Sequence, residues 1–162
     1  MASGKAHNTA SLVLSPIVGV ALLLTTRDLL SALAGAAGCA CGMFLSPDTD
    51  QEIIVHAGQK TLVTYVPVLG WWWLGVWDIY ARLIPHRHAL SHLPIVGTAG
   101  RYGYLRLLAW GVRRISGVVV PAAPLPFWVG VGLSDLAHWI MDGCPVRWGK
   151  FNWKFELLKT WA

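Results

Sequence analysis

The sequence has 162 residues, of which 55% are hydrophobic and 13% charged, with a net charge of +5 and a mean hydropathy of +0.51. Soluble domains carry about 25% charged residues, and a soluble sphere of this size could not hide so much apolar surface, so the lipid bilayer is the natural solvent. The basic residues lie beside apolar runs and form no arginine-rich block, which argues against a nucleic-acid partner and for membrane-flanking charge.

The polar stretch Met1 to Asn8 holds Lys5 and His7 and leads into an uncharged run, Thr9 to Thr26. That run has no clear cleavage site and reads as a retained first helix, not a removed signal. Arg27 and Asp28 follow, and a second uncharged run extends from Leu29 to Pro47. The two runs read as a tight helical hairpin, since a spanning helix needs roughly 20 mostly apolar residues. Cys39 and Cys41 sit among small residues of the second run, where free cysteine packs as a small hydrophobe. Their C-x-C spacing is not that of a zinc or redox motif, and with Cys144 the count is odd, so no disulfide framework is expected. The second run ends in Ser46-Pro47-Asp48-Thr49-Asp50.

The third run, Thr61 to Trp77, contains Pro67, Gly70, Trp71 to Trp73 and Trp77. The chain has ten tryptophans, and clustered indoles suit the membrane interface better than its core. This segment is therefore expected to be interfacial or re-entrant. Next comes His86-Arg87-His88-Ala89-Leu90-Ser91-His92, then Leu93 to Val112, a weaker span because it carries Arg101 and Arg106. Arg106 must snorkel, pair or lie against other helices. A last uncharged run, Ile115 to Ser134, precedes His138 and Asp142, and Cys144 to Ala162 forms a basic, aromatic tail suited to a membrane surface. The predicted fold is all-α: a polytopic helical membrane protein with about four spanning helices, the Trp-rich segment and an amphipathic C-terminal tail. Residues 1–143 form the membrane domain and 144–162 the surface tail.

The few polar outliers carry the chemistry. His138 and Asp142 are four residues apart, which puts both on one face of a helix as a chelating pair; the bland alternative is a polar helix end. Asp48 and Asp50 read as ligands or as turn and capping residues. The stretch from His86 to His92 reads as ligands or as a solvated basic loop, with Ser91 a weaker nucleophile candidate. His56 reads as a surface or packing residue, and His88 as a group beside the ligands.

Topology supplies an independent test. If His7 lies on one side, the first two helices cross and return, delivering Asp48 and Asp50 to that side. If Thr61 to Pro85 does not cross, His86 to His92 join them. Two further crossings then bring back His138 and Asp142. All candidate ligands meet at one face, which would also hold Lys5, Lys60, Arg82, Arg87, Arg147, Lys150, Lys154 and Lys159 against Arg27, Arg113 and Arg114 opposite. The positive-inside rule makes that face cytoplasmic.

These motifs resemble those of a family of small uncharacterised metal-binding membrane proteins of bacteria, cyanobacteria above all, and more distantly the inner-membrane-bound metal-dependent hydrolases. The likeness rests on Ser3, Gly4 and His7; on Ser46, Pro47, Asp48 and Asp50; on His86, Arg87, Ser91 and His92 with Gly97 and Thr98; and on His138 and Asp142. It departs at His88, where a small polar residue is usual, and at Asp135, where glycine is expected. The resemblance implies a metal site in a bacterial inner or thylakoid-type membrane.

The donor set of His7, Asp48, Asp50, His86, His92, His138 and Asp142 is imidazole and carboxylate without thiolate. It suits Zn²⁺ first, then Mn²⁺ or Fe. Seven donors exceed the four of a tetrahedral site, which allows two ions or carboxylates that support the ligands. Such a site can activate water against an ester, with Arg87 as the catalytic group that holds a phosphate. A lipid head group or another phosphoester is then the substrate, and membrane lipids are the immediate partners. The rival reading is a structural or assembly subunit of a membrane complex, with protein partners or further copies of itself, in which a structural or vestigial metal site orders the loops. A carrier would place its ligands nearer the bilayer midplane.

Overall fold

The tight turn at Arg27 and Asp28 sets the first element pair. Arg27 adopts a left-handed backbone conformation (φ 54°), and Asp28 caps the next helix by accepting from the Leu30 and Ser31 amides. Those bonds, with one from the Ser31 hydroxyl as the largest cause, hold the Asp28 carboxyl below its ordinary value of 3.8. The result is the expected hairpin, α1 (Gly4–Thr26) and α2 (Leu29–Cys41). Ser15 of α1 donates to Ala36 O of α2 at 2.8 Å.

The computed structural model describes residues 4–47, 64–84 and 88–144, and the rest of the fold follows from proline and glycine punctuation. Pro67 and Pro94 open α3 (Pro67–Leu83) and α5 (Pro94–Ser116), where the missing proline N–H costs nothing. The single turn α4 (Ala89–His92) precedes α5, and α6 (Leu125–Met141) ends the described chain. No strand occurs among the described residues. Helix α6 packs on both helices of the hairpin, and α5 packs on α4 and α6.

Two sequence expectations change. The run Ile115 to Ser134 is not one helix: Gly117 ends α5 in the left-handed conformation (φ 73°), and the chain stays non-helical until Leu125. The runs Leu29 to Pro47 and Thr61 to Trp77 likewise yield helices of 13 and 17 residues. Among the described residues only α1 is both long and apolar enough to cross a membrane. The second change concerns the indoles. Trp71 and Trp72 are exposed, but Trp77 is 1% exposed and sits in the core with Tyr80, Leu45 and Val131. Helical spacing explains the split, because Trp73, Trp77 and Tyr80 share one face of α3. Trp77 meets Tyr80 edge-on at 5.3 Å, and the Tyr104 hydroxyl of α5 donates to Val76 O. The C-terminal tail, residues 145–162, lies outside the described residues.

Candidate metal centre

His7 lies near the start of α1, and His138 and Asp142 lie at the end of α6, so the packing of α6 on α1 brings together residues 135 positions apart. His7 Nε2 is 3.2 Å from Asp142 Oδ1, and His138 Nε2 is 3.4 Å from Asp142 Oδ2. The two imidazoles stack with centroids 3.7 Å apart and planes 13° apart. One donor atom from each of the three residues lies within 4.8 Å of the others, and all three side chains are under 9% exposed.

Two imidazoles and a carboxylate this close are a donor set that could hold a divalent ion, with the 3.2 and 3.4 Å contacts running to different oxygens of Asp142. Without an ion, the same contacts are imidazole N–H groups donating to a carboxylate. His7 Nδ1 is buried with no hydrogen-bond partner among the described residues.

Hydroxyls set the orientation of the rings. Ser46 Oγ lies 3.4 Å from His138 Nδ1, which leaves Nε2 for Asp142. Ser91 Oγ donates to His88 O at 3.0 Å and lies 2.9 Å from His92 Nδ1. The His92 ring centroid is 6.2 Å from that of His138. Beside His7, Ser11 donates to His7 O and accepts from Ser134 of α6 at 2.7 Å, which pins the ligand-bearing turn of α1 to α6.

A buried ion pair adjoins this cluster. Arg101 (0% exposed) donates through Nη2 to Asp135 Oδ2 and through Nη1 to Ser91 O at 3.2 Å. Thr98 reaches the same carboxylate oxygen. The pair thus braces Ser91, which orients His92. Of the two arginines in Leu93 to Val112, Arg106 is exposed, which leaves its side chain able to snorkel, and Arg101 is the one paired in the interior.

Of the predicted ligands, His7, His138 and Asp142 converge, and His92 stands beside them. Asp48, Asp50, His86 and Arg87 lie outside the described residues, as does His56. Ser46 and Pro47, described and buried, bring the chain to His138 just before Asp48. His88 is buried, with Nδ1 accepting from the Leu90 amide, so it shapes the α4 turn.

Residues 2–124 match the model of a family described as uncharacterized metal-binding protein (DUF2227). The match includes His7 and His92 and stops before His138 and Asp142. No curated protein and no solved structure gives a significant match.

Proposed function

The chain belongs to this family of metal-binding proteins, and we propose that it is a membrane-bound metal-dependent hydrolase whose divalent ion sits between His7, His138 and Asp142. The convergence of two imidazoles and one carboxylate within 4.8 Å carries this reading. Imidazole and carboxylate without thiolate is the donor chemistry of catalytic rather than structural zinc sites. When bound, the ion supplies Lewis acidity to a water or an ester oxygen. His92, whose ring centroid is 6.2 Å from that of His138, is the next candidate ligand beside the cluster. Asp48, Asp50 and His86 complete the donor set, with Zn²⁺ ahead of Mn²⁺ or Fe. Arg87 holds the phosphate of a phosphoester or lipid head group.

A membrane setting is supported by the apolar exterior. Leu24, Leu30, Ile95, Ile115 and Leu125 are 75–91% exposed, each on the outer surface of its helix or at its end. Several spans are proposed: α1 starts at the cluster, α5 starts two residues after His92, and α6 returns to it, so the centre lies at one face. The basic flanks support a cytoplasmic face.

Elemental analysis of detergent-purified protein, prepared without chelators, tests the ion. Near-stoichiometric metal is expected in the wild type, and His138→Ala and Asp142→Ala should each lose most of it while retaining helical circular dichroism. Even the partners that orient a ligand typically contribute about 10–100-fold to metal affinity, so losing a ligand should cost at least that. Metal-free wild type, or full occupancy in both variants, would reject the centre. A structural ion is the second reading, favoured because the cluster ties the start of α1 to the end of α6. It requires that unfolding, and no ester hydrolysis, respond to metal removal.

A further inference from the structure

The way the two imidazoles of the candidate centre face one another limits how they can bind metal. His7 and His138 stack with ring centroids 3.7 Å apart and planes 13° apart. A ring nitrogen binds a metal through its lone pair, which lies in the plane of the ring. Two nearly parallel planes at this separation do not meet near the donor atoms. A single ion in the plane of one ring would therefore sit well outside the plane of the other. The angle at the metal gives the same answer. A metal–nitrogen bond of about 2.0–2.1 Å puts an ion about 3.2 Å from each ring centroid, and centroids 3.7 Å apart would then close the angle at the metal to about 70°. A tetrahedral ion needs about 109° and an octahedral one about 90°.

Asp142 divides its contacts in the same way. Its Oδ1 lies 3.2 Å from His7 Nε2, and its Oδ2 lies 3.4 Å from His138 Nε2. Each carboxylate oxygen thus faces its own imidazole. The rings have little room to splay onto one ion, because both side chains are 5% exposed and Ser46 Oγ stands 3.4 Å from His138 Nδ1. His92, with its ring centroid 6.2 Å from that of His138, is placed to join an ion held by His138.

We infer that the centre holds two ions, one on His7 and one on His138, with Asp142 bridging them through its two oxygens. Stacked rings that each carry an ion in their own plane set the ions apart by close to the ring spacing, which matches the separation of about 3.5–4 Å in two-metal hydrolytic sites. That spacing serves in-line displacement at phosphorus, which suits a phosphoester substrate. The inference rests on the metal centre proposed above and adds a second ion to it.

Manganese is the probe. Purified protein, stripped of metal and reloaded with Mn²⁺, should bind two equivalents, and its electron paramagnetic resonance spectrum should show the exchange coupling of neighbouring ions. His7→Ala should keep one equivalent, held at His138, with the spectrum of an isolated ion and the helical circular dichroism of the wild type. One equivalent with an uncoupled spectrum in the wild type would overturn the second ion, and two uncoupled equivalents would overturn the Asp142 bridge. Loss of all manganese from folded His7→Ala would also overturn the inference, because both histidines would then serve one ion. Absence of any bound metal from the wild type would instead overturn the centre itself, so the two failures are distinct.

Discussion

Cutting the buried ion pair on one side should produce the larger of the stability losses expected in this protein. Asp135→Leu and Arg101→Met each strand a charge that is 0–1% exposed in the native fold. The Asp135 carboxylate takes Arg101 Nη2 and Thr98 on one oxygen, while its other oxygen and Arg101 Nε have no hydrogen-bond partner among the described residues. An imperfectly satisfied pair of this kind contributes little net stability, because desolvation offsets its attraction. Removing one partner is different: it leaves an uncompensated buried charge, at a cost of about 3–5 kcal/mol. The Arg101→Met/Asp135→Leu double variant should therefore be markedly more stable than either single one, with a coupling of about 2 kcal/mol or more. Thermal unfolding of the four proteins in one detergent, followed by tryptophan fluorescence, measures this. Single variants that unfold with the wild type would mean that the two side chains are not paired. The Arg101 variant should also weaken metal binding, because Arg101 Nη1 holds the carbonyl of Ser91 and Ser91 orients His92.

The same pair marks the limit of what the sequence disclosed. Counting helix crossings relies on several spans, whereas among the described residues only α1 is long and apolar enough to cross a membrane; His7, His138 and Asp142 come together because α6 packs on α1. The α1–α2 hairpin was legible, since Arg27 and Asp28 interrupt two apolar runs. Three features were not. The run Ile115 to Ser134 contains no charge, so hydropathy could not show that Gly117, Pro121 and Pro124 break it. Trp77 looked interfacial because a cluster of indoles says nothing about which of them faces inward until the helix phase is known. The Arg101–Asp135 pair depends on the relative rotation of α5 and α6, which no pattern within either helix encodes.

Contact between α2 and α6 sets the second large expectation. A Cβ at Gly130 would lie 2.0 Å from Gly35 O and 2.7 Å from Cys39 N, and one at Gly38 would lie 1.9 Å from Phe127 O. These are backbone atoms, so no rotamer change can relieve the overlap and the two helices must separate. Small residues at such a crossing are what allow helix backbones to approach closely in a bilayer. Gly130→Ala should destabilise by about 1–3 kcal/mol and Gly130→Val by more, because overpacking displaces whole elements. Gly103→Ala is the control: it lies inside α5 with nothing within 4 Å of its Cβ, and it should stabilise by about 0.5–1 kcal/mol. The consequence extends to the centre. Ser134 sits one turn beyond Gly130, bonded to Ser11 beside His7, and His138 sits one turn further. Pushing α6 away from α2 therefore carries His138 and Asp142 away from Ser46 and His7. Thermal unfolding and elemental analysis of the Gly130 variants should fall together, with metal lost before the fold. A Gly130→Val protein that kept both its unfolding temperature and its metal would show that α2 and α6 do not meet at these glycines.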